Sequence, residues 1–566
     1  MRGRRSTLSL LNDIAAALWQ RTLRPLRVFW RRSWMYGLRL KGRLPDRIVV
    51  HPDDFAVRRL DQADALLRGR FRFAGETVEA TQGSIFDYPQ PSVAWVEALH
   101  AFEWLSPLSG AGGEPARMLA VNLTSQWLRR NARYSEPAWR ADILGRRLLN
   151  LFAHSRFMLT KSDVLWRSKL FVSLREQARM LARISKDAPE GLPRLEAATA
   201  HALCGVCLND GSHRLEGGLA RLDSEVAAQI LPDGGHANRS PEALLSAYRQ
   251  LAMVSSALDA AGSVTPEALL NARARMAPML RFFRLGDGAL AQFNGGGEGD
   301  AKMISALLAR DEVRGQPFAF APHSGYQRLA AGRTLLVLDC GYVPEGPFAK
   351  EAHAGCLSFE FSTGNQRVVV NCGAARDEAT WGGALRATAA HSTVTLADRS
   401  MATVMGGTLA KLLGPRLVGG PQSIETSRHE TASGWTMDAS HDAYVPLFGI
   451  VHQRRLTLSP NGTMLSGIDR LTRTVPRRGR ENTPFAARFH IHPDIRVSPN
   501  QGGGAILKLA SGEGWRFQAA GGTLSIEESI YLGNGSPRRA EQLVVSGAVH
   551  HEPVEIDWVF ERLGAA

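Results

Sequence analysis

Apolar residues recur at intervals of three and four through eight runs between about residues 90 and 285, from "SVAWVEALHAFEWLSPL" through "PAWRADILGRRLLNLFAHSR" and "VLWRSKLFVSLREQARMLARISK" to "TPEALLNARARMAPMLRFFR". That period predicts amphipathic helices. Pro, Gly or Asp stands at the breaks, as helix starts and stops require. Helices of similar length on short connections pack antiparallel, so the runs predict a stack or ring of helical hairpins. No fixed-period repeat is legible, which argues against an ordinary solenoid. After "GDGALAQFNGGGEGD" the texture changes to short β-rich runs such as "RTLLVLDCG", "CLSFEFS", "QRVVVNCG", "IVHQRRLTLSP" and "VEIDWVFERL", separated by Gly, Asn and Pro turns. Many strands at close spacing predict an antiparallel sandwich. The glycine-rich stretch 294–299 lacks the strand-to-helix context of a phosphate loop and reads as a linker. The predicted organisation is an α + β multidomain chain: a basic arm and lead-in over 1–69, a helical domain over 70–293, a Gly-rich linker region over 294–315 and a β-sandwich over 316–566.

With 566 residues, 44% apolar and 22% charged, the chain is too long for one ordinary core, and its composition excludes disordered and fibrous classes. The net charge of +14 is lopsided. Residues 1–47 hold twelve basic groups against Asp13 and Asp46, a net +10, which leaves about +4 for the rest. The basic character therefore belongs to an arm, and the body does not read as a nucleic-acid-binding surface. Within the arm, "LSLLNDIAAALWQRTL" sets Leu8, Leu11, Ala15 and Leu18 on one helical stripe, ahead of the Arg/Trp-rich "RVFWRRSW". Two readings stay open: peripheral contact with an anionic membrane, or a helix packed on its own domain with a solvated basic face. No window approaches the roughly 18 consecutive apolar residues of a membrane span, and the N-terminus lacks a signal peptide's apolar core. Export is not supported by these residues. Five scattered cysteines make no disulfide framework, and the C-x-x-C of Cys204 and Cys207 lies in a helical stretch, where small buried hydrophobes are expected.

Three runs in order, "HAGCLSFEF", "VVVNCG" and "AAHSTV", with "QILPDGGHANRSPEALL" upstream, resemble the heparinase II/III family of polysaccharide lyases over about residues 70–560. The resemblance implies an incomplete α/α toroid ahead of the sandwich. It also implies that an acidic, uronate-containing polysaccharide is cleaved by β-elimination in the groove between them. By the same resemblance the chain belongs to the cell envelope, with the cytoplasm or the inner-membrane surface left open by its N-terminus. A carbon-oxygen lyase is the first expectation, and a catalytically impaired polysaccharide-binding protein on the same scaffold is the alternative. β-Elimination needs a group that offsets the substrate carboxylate, a base for the C5 proton and an acid for the leaving oxygen. In the family these roles fall to an Asn or His of the helical domain, a Tyr of the turn-helix segment and a His of the sandwich.

In the turn-helix segment Ser240 is a good N-cap and Pro241 a good first helical residue, worth about 1 kcal/mol to the helix start. The family's Tyr position is Ala243, and Tyr248 lies about one and a half turns further on, as a substrate-binding candidate. His236 becomes the acid-base candidate, because imidazole titrates near neutrality; the alternative is a ring that caps a neighbouring turn, with Asp233 to orient it. The family's Asn-His pair falls at Ala200 and His201, so His201 is a catalytic candidate set against a core histidine. His100 between Trp95 and Trp104 joins Arg146 and Arg239 as substrate-binding candidates, since aromatic faces stack on sugars and guanidinium holds carboxylate or sulfate. In some relatives a His-Asp-His set of the sandwich binds zinc. The matching positions are His353, Asn371 and His391, where the amide removes the anionic ligand, so zinc is disfavoured and no cofactor is required. His353 is also a catalytic candidate, and Glu351 stands where relatives carry a further histidine.

Overall fold

The computed structural model describes residues 7–55, 59–310, 317–375, 381–431, 434–475, 482–533 and 535–564. The helical runs fold as predicted into Gly113–Arg130, Ala141–Leu159, Val164–Ile184, Leu192–Cys207, Ser212–Gln229, Pro241–Ala260 and Glu267–Phe283. The run "SVAWVEALHAFEWLSPL" is the exception, because it breaks into Val93–His100 and Leu105–Ala111. Phe102 turns the chain there with φ +63°, and its ring is buried between Trp104 and Trp127. Aromatic packing overrides helical continuity at that point.

Leu192–Cys207 is the central helix, packed against Ala141–Leu159, Ser212–Gln229 and Pro241–Ala260. Its small residues make this possible. A Cβ at Gly205 would fall 2.6 Å from the Leu215 Cα, and one at Gly218 would fall 2.6 Å from the Ala202 Cα. Ala200, at the family's Asn position, is fully buried in this packing, as are Cys204 and Cys207.

The β-rich half is a sandwich of an eight-stranded and a nine-stranded sheet among the described residues, paired antiparallel throughout. Strands alternate as a half-buried sheet requires: Ile450–Leu458 buries every second side chain. Phe359 stacks on Trp558 with centroids 5.5 Å apart, and Phe489, Phe517 and Phe560 close the space between the sheets. The first strands belong partly to the other domain, since Ala321, Tyr326 and Val337 join the helical core.

The stretch expected as a linker is built instead as a tie. Leu290 N–H donates to Glu298 O, Glu298 N–H to Gly533 O and Gly297 N–H to the Glu242 carboxylate, so the glycines lie close against both domains. Asp300 then caps a helix, Ala301–Ala309, by accepting from the backbone of Lys302 and Met303. The expected boundary at 315–316 lies outside the described residues. No described helix is long and apolar enough to cross a membrane.

At the N-terminus Thr7–Arg32 is one helix carrying Pro25 inside it. Its polar side docks on both domains. Asp13 accepts from Arg416 of the sandwich at 2.5 Å, Arg24 donates to Glu136 at 2.5 Å, and Arg31 pairs with Asp187. Leu11, Leu18, Trp19, Leu26 and Phe29 are exposed on the opposite side. The Leu8 side chain lies outside the described residues.

Candidate functional site

The segment "DGGHANRS" is where the helical domain meets the sandwich. Gly234 takes φ +87°, and a Cβ there would fall 2.1 Å from the Arg275 carbonyl, so only glycine fits the turn. The Asp233 carboxylate accepts from Ser324 N–H at 2.6 Å, His323 N–H at 2.9 Å and Ser324 Oγ–H at 2.8 Å. It therefore anchors the sandwich's first loop and does not orient His236. Arg239 adopts φ +64° and sends its guanidinium across the boundary. There it pairs with Asp339 and donates to the carbonyls of Ser324 at 2.7 Å, Gly325 at 3.3 Å and Tyr342 at 3.0 Å. Burial works against this charge, but the Asp339 carboxylate holds it above the usual arginine range. Arg239, expected to bind substrate, is thus spent on joining the domains. Ser240 caps the following helix as predicted, accepting from Ala243 N–H at 3.4 Å.

His236 lies inside this junction, 2% exposed. Its Nδ1 is 2.7 Å from Asn238 Oδ1 and its Nε2 is 3.1 Å from Gln229 Oε1, while Asn238 N–H also reaches Nδ1 at 3.2 Å. Phe348 of the sandwich packs edge-on against the ring. Burial lowers the imidazole to about 4, against a smaller opposing effect of Asn238. With both nitrogens engaged and the ring buried, His236 holds the turn together in this structure.

The sandwich histidines do meet. His353 Nδ1 and His391 Nε2 are 3.1 Å apart, and His391 Nδ1 donates to Ala387 O at 2.8 Å. With the His391 proton fixed on Nδ1, its Nε2 accepts from His353 Nδ1–H, and the His353 Nε2 is left as a lone-pair acceptor. Burial lowers both rings, His391 to about 4. A void of only about 10 Å³ touches His353, lined also by Arg239, Asp339 and Met401. Asn371 does not join the pair. Its Oδ1 accepts from Ser392 N–H at 3.0 Å and its Nδ2 donates to Gln292 O at 3.0 Å. Two imidazoles bonded to each other, beside an amide committed to backbone, do not fit a zinc ion, which favours three or four convergent donors with an anionic member. No group of three potential metal-binding His, Cys, Asp or Glu side chains occurs among the described residues.

The remaining candidates are dispersed through the helical domain. His201 packs against helix Ser212–Gln229, 7% exposed, with burial and then the Arg214 charge lowering it to about 4. It cannot offset a carboxylate in that neutral form. His100 Nδ1 accepts from Trp127 Nε1–H at 3.0 Å, its ring packs beside Phe86, and burial followed by the charge of Arg147 lowers it to about 4. Tyr248 is fully buried in the helical core under Arg273. Arg146 keeps partial exposure but lies 3.1 Å from Glu103, 3.9 Å from Glu97 and 4.0 Å from Glu196, so carboxylates already surround its charge. No hydrogen bond or ring contact joins His201, His236 and the His353–His391 pair among the described residues. Sequence reasoning missed the partners that decide these roles, Gln229, Asn238, Asp339 and Phe348. A charged residue ending the apolar run "LLVLD" was the one available signal for the Arg239 partner.

A helical domain docked by such a turn onto a two-sheet sandwich defines the class, and the Heparinase II/III-like, C-terminal model matches residues 313–559. The chain belongs to the heparinase II/III-like family. Among its relatives, the FtsZ-localized protein C of Caulobacter vibrioides is 33% identical over 534 residues, covering 92% of this chain and 91% of that one. A solved heparinase III superposes with TM-score 0.67 at 13% identity, covering 90% of this chain and 86% of that one. The heparan sulfate lyase HepC from Pedobacter heparinus superposes with TM-score 0.57 at 17% identity, covering 99% and 92%. These two likenesses establish the fold, a toroid followed by a β-sandwich.

Proposed function

We propose that this chain is a non-eliminating member of its family, an assembly protein of the cell envelope that works at the division site. One observation carries the reading: His236 is sealed in the domain junction with both ring nitrogens engaged. Ala243 and the buried Ala200 supply none of the acid-base groups that family chemistry uses there. A C5 proton is too weakly acidic to leave without such groups. The name of the Caulobacter vibrioides relative, FtsZ-localized protein C, supports the division-site placement. The N-terminal helix supports a peripheral membrane contact, because its apolar side faces away from the body it is docked on. Retention of acidic polysaccharide without turnover fits the same reading.

The test supplies the folded chain with heparan sulfate, alginate, pectate and hyaluronan and follows absorbance of the new C4–C5 double bond. No product at enzyme concentrations that exhaust the substrate with an active lyase is expected. Sustained double-bond formation lost in His353→Ala would sink the proposal. That outcome belongs to a second reading, favoured by one observation: donation from His353 Nδ1–H to His391 leaves His353 Nε2 as an oriented base.

A further inference from the structure

Beyond the His353 void, a separate cleft of about 320 Å³ opens where the helical domain, the tie and the sandwich converge. It lies at the small end of ligand-binding clefts. Asp287 and Glu298 come from the helical side, Gln366 and Arg367 from strand Gln366–Val370, His492 and Asp494 from the turn after strand Thr483–Ile491, and Arg538 from the start of strand Arg538–Val549. Next to the lining residue Asp287 the helical side abuts the sandwich closely. Gly286 N–H donates to Ser362 Oγ at 3.0 Å, and a Cβ on Gly286 would fall 1.7 Å from Gly364 O.

The lining charges are paired with one another. Arg367, 3% exposed, donates through Nε to Asp287 at 2.7 Å and through Nη2 to Leu290 O at 2.9 Å. Arg538 donates to Asp494 at 2.5 Å, and Tyr531 donates its hydroxyl proton to Glu298. Three carboxylates against two guanidiniums leave the lining at a net −1 with His492 neutral, so a uronate or sulfated chain is repelled. Hydrogen-bonding capacity remains in both senses. Gln366 Oε1 accepts from Ser511 at 3.2 Å, which leaves its amide NH2 to donate. His492 Nδ1 accepts from Asp494 N–H at 3.3 Å, which puts the proton of the neutral ring on Nε2. The Glu298 oxygen not taken by Tyr531 accepts. Ile495 and Ala510 add a small apolar surface.

We propose that this cleft binds a neutral saccharide of one or two sugar units. Hydroxyls donate and accept at once, and they match a floor of mixed donors and acceptors without carrying charge into it. This goes beyond the reading above and does not rest on it.

The test uses the full chain, with cellobiose, chitobiose and maltose as neutral probes and digalacturonate as the anionic one, read by saturation-transfer NMR and calorimetry. At least one neutral probe saturates a single site and digalacturonate does not. Gln366→Ala and His492→Ala each weaken that binding about five- to tenfold, the loss of one hydrogen bond. Gln366 is partly exposed, so its variant keeps the test decisive even if His492→Ala misfolds. The proposal is overturned if no neutral probe binds, if digalacturonate binds as well as they do, or if Gln366→Ala binds like the parent.

Discussion

Arg239 and Asp339, 100 residues apart in sequence, form a buried ion pair that locks the toroid to the sandwich, with the arginine in a left-handed backbone conformation. Both residues are less than a tenth exposed. Breaking a pair of this kind strands one charge in a low-dielectric site, at a cost of about 3–5 kcal/mol. Arg239→Ala is expected to lower unfolding stability by that amount. Arg239→Lys should recover only part of it, because an ammonium cannot reach Asp339 and three carbonyls from one planar fork. Urea denaturation followed by tryptophan fluorescence measures both, and a loss under about 1 kcal/mol in Arg239→Ala would show that the junction is held elsewhere.

The buried histidines make a pH prediction with a definite sign. His236 and His391 are lowered from 6.5 to about 4 by burial, so the unfolded chain binds protons that the folded chain refuses. Their stability contribution is intact above pH 6.5 and is lost as pH falls from about 6.5 to about 4, at about 1.4 kcal/mol per pH unit for each ring. His236→Gln and His391→Gln should each flatten the slope by about one proton while lowering stability at pH 7.5. Denaturation midpoints at intervals of half a pH unit decide it, and slopes equal to the parent's would refute the assignment of neutral rings.

Much of this architecture was legible in the hydrophobic pattern. The quoted β runs are all strands, and the long helical periods are all helices except where Phe102 turns the chain. Strand Ile424–Thr431 was not legible, because as an edge it is mostly exposed and lacks the alternation that marks a half-buried strand. The site was harder to read. Motif matching singled out the turn "DGGHANRS", but its Asp233 and Arg239 act through partners about 100 positions away, and no local spacing reveals whether a histidine faces a groove or a junction. Ala200 shows the same limit: in sequence it is a missing asparagine, and in the fold it is a fully buried residue of the central helix, against which three other helices pack.

The N-terminal helix bridges the two domains, reaching Arg416 of the sandwich with Asp13 and Glu136 and Asp187 of the toroid with Arg24 and Arg31. Such exposed or half-exposed pairs contribute only about 0–1 kcal/mol each, so global stability is a poor readout. Local undocking is a better one. Asp13→Arg is expected to raise the rate of tryptic cleavage within residues 21–32 several-fold, and the charge-swapped Asp13→Arg/Arg416→Asp protein should return it toward the parent rate. Equal cleavage in all three proteins would mean that the pair does not hold the helix.

The same helix carries the prediction for membrane contact. Leu26 is 66% and Phe29 78% exposed, on the side opposite the docked Asp13, Arg24 and Arg31, and Arg21 and Arg32 border one edge of that apolar stripe at 100° per residue. Burying a leucine or phenylalanine side chain in lipid contributes about 1.5–3 kcal/mol, and the two arginines add a salt-screened attraction to anionic headgroups. The full chain should therefore sediment with phosphatidylglycerol-containing vesicles and much less with neutral ones, and raised salt should weaken the binding. The double variant Leu26→Glu/Phe29→Glu should lower partitioning about 10²–10⁴-fold while leaving the thermal midpoint of the body unchanged, since neither side chain is packed on it. Vesicle binding that survives the double variant would place the membrane contact on another surface, and absence of binding by the parent would leave this helix a domain tie alone.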